Sequence, residues 1–203
     1  MRPLQIAAIV EGYGEVESVP ILIRRIAREL DPQLVVEVKR PLRVSASQLR
    51  KPEEIEKRIE FAARKLGGKG AIFVLVDCDW AEGCPARDGP ELLERARKAR
   101  EDVLISVVLA KKEYEAWFIA AAESLRGERR LSDSMMTPSD PENIRGAKEW
   151  LSGNMPPSHP YAETTDQPAL TELFDMKMAR KADSFDKCYR EITNILKKLQ
   201  EQD

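Results

Sequence analysis

Glu11, Asp77 and Asp79 are the residues of this 203-residue chain whose types and placement suit chemistry. Each closes an apolar run, Leu4 to Val10 before Glu11 and Ala71 to Val76 before the two aspartates. Runs of that kind read as strands covered on both faces of a parallel sheet. Asp77 and Asp79, two apart on the continuation of a strand, project to one side while Cys78 points to the other. Ligand sites in open parallel sheets gather outside the carboxyl ends of the strands, so these acids converge if the two strands are neighbours. Converging carboxylates repel one another and must take up protons or bind a cation. Oxygen ligands with room for water and phosphate suit Mg²⁺ or Mn²⁺. Each acid also has a plainer reading as a helix cap or a solvated turn. Glu15, four residues past Glu11, is either a further ligand or a favourable charge near a helix N-terminus.

The turn Gly12-Tyr13-Gly14 is not followed by Gly-Lys-Ser/Thr and does not complete a dinucleotide fingerprint, so a nucleotide P-loop is not expected. Its glycines are expected to let the backbone turn sharply and aim Glu11 at the site. Cys78, Cys84 and Cys188 form no C-x-x-C unit, which disfavours a disulfide framework and a structural zinc. His159 is the only histidine and lies in a Pro-flanked loop, so a histidine-based metal site or hydrolase triad has no support. A net charge of −2 argues against wrapping nucleic acid non-specifically, which needs a basic surface to displace counterions. No apolar run is long enough for a bilayer and the N-terminus lacks the pattern of a signal peptide, so the cytoplasm is the expected compartment and no membrane partner is expected.

These residues are positioned by alternating elements. Helical spacing of Val19, Leu22, Ile23, Ile26 and Leu30 predicts a helix over 16–30, with Pro20 admissible only in its first turn. Leu34 to Val38 reads as a strand; Pro52 opens a helix carrying Ile55, Ile59, Ala62 and Leu66 that stops at Gly67-Gly68. A helix over 90–100, a buried strand over 103–110 and an apolar helix over 114–125 follow. The pattern is an α/β domain over 1–127, a mainly parallel sheet flanked by helices. After Gly127 the chain turns polar and Pro-rich until a final helix, striped by Phe185, Cys188, Tyr189, Ile192, Ile195, Leu196 and Leu199. Residues 128–203 are expected to be a helical extension packed on the sheet domain rather than a second fold.

Glu-Gly after the first strand and Asp-x-Asp after a later one are similar to the TOPRIM signature of topoisomerases, primases and overcoming-lysogenisation-defect nucleases. More specifically, Val10-Glu11-Gly12, Val76-Asp77-Cys78-Asp79, Lys112-Glu113-Tyr114-Glu115-Ala116-Trp117-Phe118 and Asp166-Gln167-Pro168 through Ser184-Phe185-Asp186-Lys187 resemble the bacterial family called domain of unknown function 4276. The resemblance spans nearly the whole chain, and its last two blocks are the more specific. It implies a TOPRIM-like (Rossmann-like) fold, Glu11 as general acid/base or metal-ligating glutamate, and Asp77 and Asp79 as metal ligands. It also implies an ATPase partner in bacterial defence. The chain lacks the length for the further domain that carries a topoisomerase's tyrosine, so that activity is not expected.

Glu115, after the fourth strand at the start of a helix, is placed to complete the acidic cluster. Lys111 or Lys112 either stabilises charge on a phosphate or is a solvated strand end. Trp117 and Phe118 read as core rather than as stacking platforms for bases. Lys39, Arg40, Arg43, Arg50 and Lys51, in a segment with no acid, are either a track for a phosphate backbone or a solvated edge. Asp166, Asp175, Arg180, Ser184 and Lys187 read mainly as pins for the tail. Together these features make Mg- or Mn-dependent phosphodiester chemistry on nucleic acid the leading expectation, as a nuclease. A non-catalytic subunit of an ATPase complex is the alternative.

Overall fold

The computed structural model describes residues 3–202. Four strands, β1 (Leu4–Val10), β2 (Val36–Arg43), β3 (Ala71–Cys78) and β4 (Leu104–Lys111), form one all-parallel sheet in the order β2-β1-β3-β4. Helices α1 (Tyr13–Leu30), α2 (Ala46–Leu49), α3 (Glu54–Leu66) and α4 (Pro85–Ala99) connect the strands. The chain continues through α5 (Ala116–Ala120), α6 (Ala147–Gly153), α7 (Glu163–Leu173), α8 (Met176–Ala179) and α9 (Asp183–Glu201). From β1 the chain moves outward to β2, then returns past β1 to β3 and β4. Because crossovers in parallel sheets are right-handed, this reversal places α1 on one face and α3 and α4 on the other. The core accordingly divides in two. Phe73, Leu75 and Val10 face α1 and the later helices, while Ile72, Val74, Val76 and Cys78 face α3 and α4.

β1 and β3 are central and buried almost throughout, as their apolar runs predict. β2 is an edge and alternates buried with exposed, which lets it contain Pro41. It runs through Arg43, five residues beyond the predicted end at Val38, because pairing with β1 continues across a register shift between Ala7 and Ile9. Pro20 lies well inside α1 rather than in its first turn. The lost backbone donor is tolerated because Val19, Leu22, Ile23 and Ile26 bury one whole side of the helix. α4 begins at Pro85 and carries Pro90 within it, and the helix expected over 114–125 is a short α5 followed by a tight 3₁₀ turn.

One core cluster runs on past Gly127, joining strand residues to Leu170, Phe174, Phe185 and Leu196 of the later helices. Its centre is aromatic. Tyr114 and Trp117 lie 4.5 Å apart, Trp117 and Phe185 5.2 Å, and Phe118 and Phe174 5.5 Å. The indole Nε1 of Trp117 donates to Ser184 Oγ at 2.8 Å. Trp117 and Phe118 are wholly buried. Asp175 caps α8 through the Met178 amide, Arg180 pairs with Asp186, and Lys187 with Glu191.

Candidate functional site

The reversal in strand order falls between β1 and β3, and a crevice outside the carboxyl ends of the strands is where open α/β sheets bind ligands. Glu11 and Asp77 stand at those two ends. Glu11 Oε1 accepts from the Ala46 amide at 2.9 Å, and its Oε2 from the Asp77 amide at 3.3 Å. Asp77 Oδ1 accepts from the Tyr114 amide at 2.9 Å, which ties the end of β3 to the segment leaving β4.

Glu15 takes the helix N-terminal place that one of its sequence readings gave it. It caps α1, Oε2 accepting from the amides of Glu11 and Gly12 at 2.8 Å each, and it is 3% exposed beside the other acids. Glu115 is fully buried. Its Oε1 accepts from the Tyr161 hydroxyl at 2.8 Å and from Gln167 Nε2 at 3.1 Å, while Oε2 has no hydrogen-bond partner.

Burial raises the pKa of each of these four carboxyls. Glu15 is pushed up to about 7, burial and the nearby Glu115 and Glu11 outweighing the two amides it caps. Asp77 is raised well above the aspartate range by burial and by Glu15, Glu115 and Glu11. Burial lifts Glu115, and lifts Glu11 against its two amide hydrogen bonds, with Asp79 adding to the rise. Burial and mutual repulsion therefore oppose full ionisation of the cluster.

Lys148 of α6, whose charge acts on Glu11, Asp77 and Glu115, donates to Glu163 Oε2 at 2.9 Å. Burial opposes its charge, but Glu115, Glu163 and Asp77 hold its pKa above the usual lysine value. Glu163 Oε1 accepts from the Gly14 amide at 3.1 Å, and Gln167 Oε1 from Ser18 Oγ at 3.0 Å. Helix α7 thus docks directly on the glycine turn. Gly12 has an ordinary φ of −84°, so sharp turning is not what it supplies. A Cβ on Gly14 would stand 2.5 Å from Gln167 Oε1 and 2.8 Å from the Glu163 carbonyl, so glycine is needed here for close approach.

Of the residues singled out in the sequence, the structure gathers Glu11, Glu15, Asp77 and Glu115. Asp79 lies past the end of β3 and is exposed, although its charge reaches Glu11. Lys112, in a left-handed conformation with φ 70°, forms no ion pair among the described residues, and its charge acts on Cys78 on the opposite face. Arg40, Arg43, Arg50 and Lys51 are exposed and have no carboxylate partner among the described residues. Lys148, Tyr161 and Glu163 went unnoticed in the sequence, and Gln167 was named only within the Asp-Gln-Pro block. Glu163 and Gln167, four apart and the second of them inside the Asp-Gln-Pro block, carry the spacing of one helix face, so Glu163 was open to detection.

The donors are all carboxylate oxygens, one of them buried and unpartnered, which suits a hard cation in chemical type. Among the described residues no three histidine, cysteine, aspartate or glutamate side chains stand as a ready-made coordination shell. No described helix is long and apolar enough to cross a membrane.

The model of the family described as "Domain of unknown function (DUF4276)" matches residues 10–193. No curated protein matches the chain, and no solved structure does.

Proposed function

Because the chain belongs to the DUF4276 family, whose name assigns no reaction, we propose its function from the site: metal-dependent phosphodiester cleavage of nucleic acid. The observation that carries this reading is an excess of buried and half-buried acid at the switch point. Glu11, Glu15, Asp77 and Glu115 meet there, and the hydrogen bond of Lys148 goes to Glu163. Such a group at neutral pH shares protons or takes a divalent cation. Glu11, Asp77 and Asp79 would hold Mg²⁺ or Mn²⁺, with Glu15 and Glu115 behind them. A bound ion there supplies Lewis-acid polarisation and a more acidic water. The chain's own residues do the rest. Glu15 and Glu11 hold the amides of the glycine turn and of Ala46 and Asp77 in place around the site, and Lys148 offsets charge beside the acids.

The test is cleavage of labelled single- and double-stranded DNA and RNA in Mg²⁺ and in Mn²⁺, by wild type and by Asp77→Asn. Cleavage that requires the metal and Asp77 supports the reading, and its absence from every substrate, with or without an ATPase encoded beside the gene, sinks it.

A second reading has its own support. Amide hydrogen bonds account for Glu11, Glu15 and Asp77 as structural caps, and no coordination shell is ready-made among the described residues. On that reading the protein is a non-catalytic regulatory subunit of an ATPase complex. Titration calorimetry separates the two, since heat on adding Mn²⁺ that vanishes in Asp77→Asn belongs to the first alone.

A further inference from the structure

Two aromatic rings, Tyr13 exposed and Trp80 half-buried, border the acidic strand ends, and each lies against a guanidinium. Tyr13, two residues past Glu11 and 64% exposed, lies 4.0 Å beneath the Arg43 guanidinium, which also donates to its hydroxyl at 3.2 Å. Arg43 is in register with Val10, so this pair stands directly beside Glu11. Trp80, next to Asp79, lies 4.4 Å beneath the Arg50 guanidinium and lines a cleft of about 290 Å³. The other arginines of that cleft are engaged, Arg87 with Asp88 and Arg95 with Glu56. Arg43 and Arg50 instead have aromatic faces as neighbours and no carboxylate, so their donors, apart from the Arg43 bond to the Tyr13 hydroxyl, remain available to phosphate.

Resting on the phosphodiester reading above, we infer that the substrate is single-stranded nucleic acid. Bases flanking the reacting phosphate stack on the Tyr13–Arg43 and Trp80–Arg50 pairs. A flat aromatic or guanidinium platform accepts a base only if that base is free of its own helical stack. Duplex binding draws on many phosphate contacts, which a chain of net charge −2 with Arg43 and Arg50 beside its strand ends is poorly suited to supply. Stacking is indifferent to sequence, so the preference is for strandedness rather than for particular bases.

The test is equilibrium binding of fluorescein-labelled oligonucleotides, oligo-dT and oligo-rU against duplexes of equal length, with Ca²⁺ replacing the active metal. Single strands are expected to bind about tenfold or more tighter than duplex, with Trp80→Ala and Tyr13→Ala each weakening them by roughly 5- to 100-fold. Phe61→Ala, which removes an exposed ring on α3 lying under Lys65, is expected to change nothing. Circular dichroism confirms that each surface variant is folded. Equal or tighter duplex binding, or single-strand binding unchanged in Trp80→Ala and Tyr13→Ala, overturns the inference. Duplex cleavage in Mn²⁺ that survives both substitutions would leave the phosphodiester reading standing and remove this one. Stacking-dependent binding of single strands without cleavage in any metal would do the reverse.

Discussion

Replacing Glu15 by glutamine is expected to stabilise the protein at pH 8, although the side chain is 3% exposed and caps a helix. The capping bonds run from the Glu11 and Gly12 amides to one oxygen, and a glutamine carbonyl accepts both in the same place. What is lost is a charge that the site resists. Burial together with Glu115 and Glu11 lifts the Glu15 pKa from 4.5 to about 7. Below 4.5 the carboxyl is protonated in both the folded and the unfolded chain. Between 4.5 and 7 the unfolded chain releases the proton and the folded one keeps it, so stability falls as pH rises through that window and is flat above it. A shift of that size is worth roughly 3 kcal/mol at pH 8, or on the order of 6–12 °C in Tm for a domain this long. Thermal melts of wild type and Glu15→Gln from pH 5 to pH 8 without divalent ions read it directly. The curves should converge near pH 5 and separate toward pH 8, the variant above. Mn²⁺ at pH 8 should then raise wild type more than the variant, since a cation relieves the same repulsion as a proton. A variant less stable than wild type at pH 8 would show that the ionised carboxylate is wanted there and that the repulsion argument is wrong.

Gly14→Ala forces a methyl to within 2.5 Å of Gln167 Oε1 and 2.8 Å of the Glu163 carbonyl, and should destabilise by about 1–3 kcal/mol on denaturant titration. Ser184→Ala leaves the buried Trp117 Nε1 without its acceptor, an expected loss of about 1–3 kcal/mol by the same measurement. Lys148→Met removes a positive charge that lowers the pKa of Asp77 and Glu115, so its Tm should fall further below wild type at pH 8 than at pH 5. A deficit that does not vary with pH would show that Lys148 acts only through its bond to Glu163.

The sheet was legible because burial on both faces leaves a mark that short range can carry. β1 and β3 read as apolar runs, broken in β1 only by Gln5, and an acid at the end of each is conspicuous. β2 was legible only to Val38, since an edge strand may be polar and its continuation to Arg43 depends on pairing with β1 across a register shift. The cluster was half legible for a related reason. Glu11, Glu15, Asp77 and Glu115 are announced by strand ends, whereas Lys148 and Glu163 come from short helices whose position is set by docking onto distant residues. Gly14 shows the limit most plainly. The sequence marks a glycine there, but whether it serves a sharp turn or a close approach depends on Gln167 and Glu163, about 150 residues further along the chain.

That docking also explains why the acids are held together despite the cost. α7 brings Glu163 to the Gly14 amide and Gln167 to Glu115, and Trp117 and Ser184 fasten α5 to the N-terminal turn of α9, so the tail closes the side of the site that the sheet leaves open. Hydrophobic burial around Tyr114, Phe118 and Phe174 supplies the stability against which the repulsion is set. Natural chains break local rules of this kind mainly where they function, and compensate elsewhere. Four buried or half-buried carboxyls that resist ionisation would be replaced at little loss by glutamine or asparagine, whose carbonyls keep the amide hydrogen bonds, if folding were their only role. Their presence at the switch point is therefore an argument for a ligand that wants negative charge, and the Glu15→Gln melts with and without Mn²⁺ put that argument at risk.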